Sequence, residues 1–332
     1  MTRTTPPRPV DLVAVFPELS RYARTATRLH PRPGSPGVRE SSIGGPLLWP
    51  AGEPWPMCTQ KHDPYGPVER LADERRRREV LAEAWSRIPL GSRADFTPQQ
   101  RAELNRLDGH EPPPPPDGPV PFLAFAQLYA RDIPDLAPPP HADLLQVLWC
   151  PWDHDDLSCP AVILRWRRAD EVTVALDPQP EPELMEYDTY LPDPCVLYPE
   201  QIVEYQYADF LPADLRRRLR EWSQETGHSY QDLSIASGMK VGGWSSWHLT
   251  DPYPMICECG ADLELLLCID GAEWDGNRTW QPVEDIEIEA AEQFHRLPHL
   301  NSPTNITIGR GYGLWIFTCP VSHDHPHQMS MQ

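Results

Sequence analysis

Gly44-Gly45-Pro46-Leu47-Leu48-Trp49 and Gly242-Gly243-Trp244-Ser245-Ser246-Trp247 are two copies of one pattern, GGxxxW. Cysteine follows each copy: Cys58 after the first, Cys257 and Cys259 after the second. Each then leads through an apolar run into a second shared motif. The first run ends Cys150-Pro151-Trp152-Asp153-His154-Asp155 and the second ends Cys319-Pro320-Val321-Ser322-His323-Asp324, both CPxxHD. Two motifs repeated in the same order read as an internal duplication in which each half builds a Cys/His knuckle. The apolar runs align with them, 122–128 against 263–269 and 144–149 against 313–318.

The pattern predicts an α+β fold, internally duplicated, with pseudo-twofold mixed or antiparallel sheets and a helical insertion in the first half. Residues 1–24 are expected as a polar tail and short helix, 25–210 as the first half, and 211–332 as a connecting helix and the second half. The insertion is placed at 64–119. Within it Val80, Leu81, Ala84, Trp85 and Ile88 recur at helical spacing. Thr97-Pro98 reads as the cap and first position of a second helix, and Pro112 to Pro116 close the segment. Runs at 161–166 and 172–176 suggest a strand pair, 196–205 one strand, and 212–224 an amphipathic helix striped with Leu211, Leu215, Leu219 and Trp222.

Charge bounds the partners. The chain has 332 residues with 49 acidic against 29 basic side chains, a formal charge of −20. A phosphate-binding groove needs a basic surface, so this balance argues against nucleic acid. The arginine runs 75–78 and 216–218 lie in helical patterns beside acids and read as solvated faces. Forty-two prolines predict short elements and many turns, while 12 tryptophans supply core. No apolar run has membrane-spanning length and no secretory leader is evident, so a cytoplasmic protein is expected. In a reducing compartment eight cysteines point to metal or burial rather than disulfides.

Cys257, Cys259, Cys319 and His323 offer three thiolates and an imidazole, a donor set that suits tetrahedral zinc. Gly260 lets the backbone turn behind them. The corresponding first site is Cys58, His62, Cys150 and His154, with Cys159 as a substitute ligand. The alternative is that these cysteines only pack. One zinc is expected and two are allowed. Four protein ligands close a zinc site and favour a structural role over hydrolysis, and neither HExxH nor the deaminase pattern is present. Catalytic residues are therefore unknown.

Ile43 to Pro50, Ala124-Phe125-Ala126-Gln127-Leu128, Lys240-Val241-Gly242-Gly243 and Leu265-Leu266-Leu267-Cys268-Ile269 together resemble the YwqG-like family, a bacterial domain of unknown function. The resemblance covers roughly 25–325 apart from the insertion. The second strand ends Cys268-Ile269 where the family has a Gln-Ile-like pair. The resemblance implies a duplicated α+β domain and cytoplasmic residence, and it supplies no activity or catalytic residue. Gene neighbourhoods of the family imply toxin–immunity settings.

The remaining features carry less. The glycine pairs fit no phosphate-binding motif and read as tight turns. Acids from Glu258 to Asp275 read as solvated surface, Cys195 and Cys268 as buried hydrophobes, and His325 and His327 as a frayed tail. Trp244, Trp247, Trp274 and Trp280 suggest a recognition cleft between the halves. The sum is a zinc-stabilised binding scaffold whose partner is another protein, of immunity type in its most concrete form. The rival is a zinc-dependent hydrolase with an open metal site between the halves.

Overall fold

The apolar run that begins at Leu144 continues as one strand through the CPxxH motif to His154. Its side chains alternate: Leu145, Val147 and Trp149 enter one cluster, Leu148, Cys150 and Trp152 another. Both faces of its sheet are therefore covered. The computed structural model describes residues 2–87, 96–154, 158–291 and 298–332. In chain order its strands are β1 Ala23–Arg28, β2 Arg32–Pro33, β3 Ser42–Ile43, β4 Met57–Cys58, β5 Glu69–Arg70, β6 Val120–Pro121, β7 Leu123–Tyr129, β8 Leu144–His154, β9 Cys159–Arg167, β10 Leu184–Met185, β11 Cys195–Val196, β12 Glu200–Tyr205, β13 Lys240–Gly242, β14 Glu264–Ile269, β15 Leu314–Thr318 and β16 Gln328–Met331. The helices are α1 Leu12–Val15, α2 Leu71–Ser86, α3 Pro98–Asp108, α4 Ala213–Thr226, α5 Tyr230–Ser234, α6 Val283–Ala291 and α7 Pro298–Asn301. The fold is α+β, as expected, and the strand pairings are antiparallel.

Two sheets dominate, ordered β2-β11-β3-β7-β8-β9 and β12-β1-β13-β14-β15-β16. In each, the strand entering a glycine pair is followed by a leucine-rich strand and then by the strand entering a CP motif. In each, the register between the last two shifts at one extra residue, Phe125 in the first and Leu266 in the second. Such a bulge reverses which alternate side chains face inward. Thus Leu265 faces outward before the bulge and Cys268 after it, while Leu267 and Ile269 face inward. The inner faces of both sheets share one cluster, with Leu145, Val147 and Trp149 from one and Val241, Leu267, Leu314 and Ile316 from the other.

The sheets do not part at residue 210. Strands β1 and β12 precede that point yet belong with β13 to β16. The run 196–205 is two strands in different sheets, broken at 197–199 where Pro199 lacks the N–H a continuing ladder needs. The expected pairing of 161–166 with 172–176 is also replaced. Strand β9 pairs with β8, a 3₁₀ turn at Ala169–Glu171 turns the chain away, and Leu176 N–H donates to Trp49 C=O at 2.7 Å.

Two helices, α2 and α3, form within 64–119. Thr97 and Gln100 cap each other reciprocally, with Pro98 in the first turn of α3. Val80 and Ala84 are buried, whereas Trp85 is half-exposed and Ile88 lies outside the described residues. Arg75, Arg76 and Arg77 pair with surface acids; Arg78 instead reaches Glu74, Asp193 and the carbonyls of Leu191 and Asp188. Leu215 and Leu219 of α4 pack on Leu12, Phe16 and Leu19. The N-terminal stretch is not a loose tail, because Thr5 N–H donates to Glu200 at 2.8 Å and Arg3 pairs with Asp285 at 3.0 Å. No described helix is long and apolar enough to cross a membrane.

Candidate metal centres

The outward-facing residues of β8 carry the first centre. Strand β8 carries two more residues than β9 between Trp149 and Asp153, so its ladder is interrupted within the motif, and there Cys150 and His154 come together. Cys58 comes from β4, held by pairing with β6, and His62 from the loop that follows. His62 Nε2 lies 3.3 Å from Cys150 Sγ, and Cys58 Sγ lies 3.7 Å from His154 Nε2. All four donor atoms lie within 4.8 Å of one another, and all four residues are buried. Tetrahedral zinc with ordinary Zn–S and Zn–N bonds has donor–donor edges of about 3.3–3.8 Å, and the 3.3 and 3.7 Å separations fall in that range.

Protonation in this centre is uneven. A hydrogen bond from Cys150, opposed by burial and aided by His154, pulls the Cys58 thiol down to about 3. The same bond, together with burial, pushes Cys150 far up. Two sulfurs this close cannot both ionise alone; a divalent cation lets both do so. Glu186, almost wholly buried, braces the site: its carboxylate accepts Asp153 N–H and Tyr65 N–H, each at 2.9 Å, tying the strand end to the His62 loop. Tyr190 O–H donates to Asp153 at 2.6 Å. No local pattern singles out Glu186, which sits in a proline- and acid-rich stretch. Cys159 pairs opposite His154 in the ladder but enters the inner cluster and does not join the four donors. Asp155 lies outside the described residues.

The second centre gathers Cys257, Cys259, Cys319 and His325 within the same limit. Cys257 N–H donates to Ala261 C=O at 2.9 Å and Gly260 N–H to Cys257 C=O at 2.8 Å, closing a tight turn. Gly260 sits at φ +87°, a conformation that favours glycine. Cys259 Sγ is 3.6 Å from Cys319 Sγ, and His325 Nδ1 lies 3.2 Å from Cys319 Sγ and 3.4 Å from Cys257 Sγ. Burial raises Cys319, but His325 and the N–H groups of Ser322 and Val321 outweigh it and bring the thiol down to about 6. Cys257 is raised: its hydrogen bond from the Cys259 backbone is overcome by burial and the neighbouring sulfurs of Cys319 and Cys259. Cys259 is exposed, so this centre is the more open of the two.

The expectation for His323 is corrected. Strand β8 runs on through its motif to His154 with an irregular ladder, but β15 stops at Thr318 and the chain turns at 319–325. The histidine four positions on therefore leaves the cysteine face. His323 Nε2 donates to Ala137 C=O at 2.9 Å, with its ring edge-on to Trp166. His325 folds back in its place, held from behind because β16 pairs with β15. It is not part of a frayed tail. If zinc fills the centre, His325→Ala should remove the ion from the second site, whereas His323→Ala should leave zinc content unchanged. Metal analysis of both variants checks this; equal retention in the two would contradict the assignment.

Neither centre lies between the sheets. Cys58 and Cys150 belong to the apolar cluster on the outer face of the first sheet, Cys257 and Cys319 to that on the outer face of the second. A third group, Glu69, Glu74 and Asp188, is oxygen-only and already meets Arg77 and Arg78. The expected four-tryptophan cleft is also corrected. Trp274 and Trp280 are buried, with Trp280 N–H donating to Asp232 C=O at 2.8 Å, and only Trp244 and Trp247 line an open cavity. The glycine pairs are turns, as read. Gly243 has φ +74°, and a Cβ there would lie 2.4 Å from a Glu204 oxygen. Glu204 is itself paired with buried Lys240 at 2.6 Å. Glu273 is not solvated: it lies in a buried cluster with Arg28, His30 and Arg32. No family model matches this chain, and no curated protein is significantly similar to it.

Proposed function

We propose that this chain is a zinc-stabilised binding scaffold that acts by contact with another protein, each Cys/His centre holding one zinc ion. The observation that carries this reading is the recurrence of four Cys/His donors within 4.8 Å of one another on the outer faces of two sheets that share a strand order. That shared order, and the bulge at Phe125 and Leu266, also support the duplication and kinship with YwqG-like proteins. The ligands would be Cys58, His62, Cys150 and His154, and Cys257, Cys259, Cys319 and His325. Four protein donors leave no position for water, so the ion would lock the segments flanking each sheet rather than activate a nucleophile. A hydrolase reading asks for an open centre between the halves, and both clusters lie elsewhere. The acidic surface suits a basic partner, including the basic toxin of an immunity pair.

Elemental analysis of protein purified without a histidine tag tests this. Close to two zinc ions per chain is the expected result. A value near zero in protein that is folded and soluble would overturn the scaffold reading.

A further inference from the structure

The two centres differ in how far their sulfurs can be reached. Seven of the eight cysteines are buried, and Cys259 alone is exposed. Its sulfur lies 3.6 Å from Cys319 Sγ. Neither residue is fixed within a strand. Cys259 sits in the turn that Gly260 N–H closes on Cys257 C=O, and Cys319 follows Thr318, the last residue of β15. Gly260 has open space where a Cβ would stand, so this turn has room to move. A small movement of either turn brings the two sulfurs to bonding distance. In the first centre all four ligands are buried, and Cys58 and Cys150 lie in β4 and β8 within a cluster that includes Trp55 and Trp152.

We propose that Cys259 is an oxidation site, at which a peroxide drives formation of a Cys259–Cys319 disulfide and so dismantles the second centre. This rests on the zinc reading of that centre and adds its regulation. Thiolate is the reacting form of cysteine, and zinc ligation holds sulfur in it. The Cys259 thiolate attacks one peroxide oxygen, the O–O bond breaks and hydroxide leaves, giving a sulfenic acid. The Cys319 thiolate then attacks that sulfur; the S–S bond forms as the S–O bond breaks and a second hydroxide leaves. The two thiolates lose two electrons, and the peroxide, taking up two protons, becomes two waters.

The disulfide uses two of the four donors and leaves Cys257 with His325, too few for a zinc centre. His325 Nδ1, placed 3.2 Å from Cys319 Sγ and 3.4 Å from Cys257 Sγ, then loses the ion that joins it to them. The turn at 319–325 is tied at its far side to the first sheet, where His323 donates to Ala137 C=O and meets the Trp166 ring. Oxidation at Cys259 therefore acts on a segment that touches both sheets. The first centre keeps its ion, because its sulfurs are closed to the oxidant.

The test treats the zinc-loaded full chain with hydrogen peroxide, reads released zinc with a chromophoric chelator, and maps disulfides by mass spectrometry after alkylation. Release of one zinc per chain is expected, in step with a Cys259–Cys319 disulfide, and dithiothreitol with added zinc should reverse both. Cys259→His keeps a donor for zinc but cannot form the disulfide, so its release should be slower by roughly tenfold or more. If that variant does not hold the ion, disulfide mapping of the native chain decides by itself. Oxidation confined to other cysteines, a disulfide from Cys257 in place of this one, equal zinc loss from both centres, or release from Cys259→His at the native rate would overturn the proposal. A native chain that holds close to two zinc ions yet forms no such disulfide sinks this inference alone. A chain without zinc that still joins Cys259 to Cys319 sinks the metal reading alone.

Discussion

Cys150→Ser is expected to cost one zinc per chain and to lower the melting temperature by roughly 5–10 °C. Cys150 is fully buried between Leu148 and Trp152 on the outer face of the first sheet, and its sulfur lies 3.3 Å from His62 Nε2. Serine offers a hydroxyl that stays protonated and binds zinc poorly, so three donors remain where four are needed. In small zinc domains the bound ion supplies about 10–16 kcal/mol of folding free energy. Here the surrounding sheet keeps part of the fold, so the loss should be partial and local. The His62 loop and the 57–58 strand should lose protection from hydrogen exchange first. Cys195→Ser is the control, since Cys195 is equally buried but only donates to Pro303 C=O at 3.3 Å. Its cost should be that of a small buried hydrophobe, about 1–2 kcal/mol, with zinc unchanged. Equal effects of the two substitutions, with no change in metal content, would show that both cysteines merely pack.

Glu273→Gln is the second large effect expected, because it removes the one carboxylate paired with buried Arg28 among the described residues, while Arg32 keeps Asp285 and His30 keeps Glu200. His30 Nδ1 bonds Glu273 Oε1, Arg28 lies 3.6 Å from the same oxygen, and Arg32 lies 3.6 Å from Oε2. Glu273 and Arg28 are almost completely buried. Breaking a buried ion pair at one partner typically costs about 3–5 kcal/mol, since the remaining charge is desolvated and unpaired. The pH dependence has a definite sign. Burial alone would raise the Glu273 carboxyl, but His30, Arg28 and Arg32 outweigh it and hold the group below its ordinary value of 4.5. A depressed folded-state value contributes stability above 4.5 that is lost as the pH falls through the lower folded value. Urea midpoints of the native chain and of Glu273→Gln should therefore differ most near neutrality and converge in acid. A gap that widens below pH 4.5 would contradict the assignment.

The partners of this cluster explain why the N-terminal stretch is ordered although it reads as a polar tail. Arg28 Nη1 donates to Thr5 Oγ1 at 2.8 Å, and Thr5 N–H in turn donates to Glu200. His30 reaches the same Glu200 at 3.3 Å. Each contact joins residues far apart in sequence, so no local pattern announces them.

The repeated motifs, the α+β class, the two helices within 64–119 and seven of the eight clustered donors were legible in the residues alone. These are local properties. The Thr97 capping box starts α3, and Gly260 permits the turn that presents Cys257 and Cys259. Tertiary structure decided what depends on where a strand stops and what lies across from it. Because β15 ends at Thr318, the chain turns and supplies His325 rather than His323. Because β1 and β12 pair with β13 or with each other, the sheets interleave across residue 210. Because Glu186 bridges Asp153 and Tyr65, an acid in a surface-like stretch becomes the brace of the first centre. Period and capping are written in neighbouring residues, while ligand exchange, strand crossing and buried charge pairing follow from contacts between distant ones.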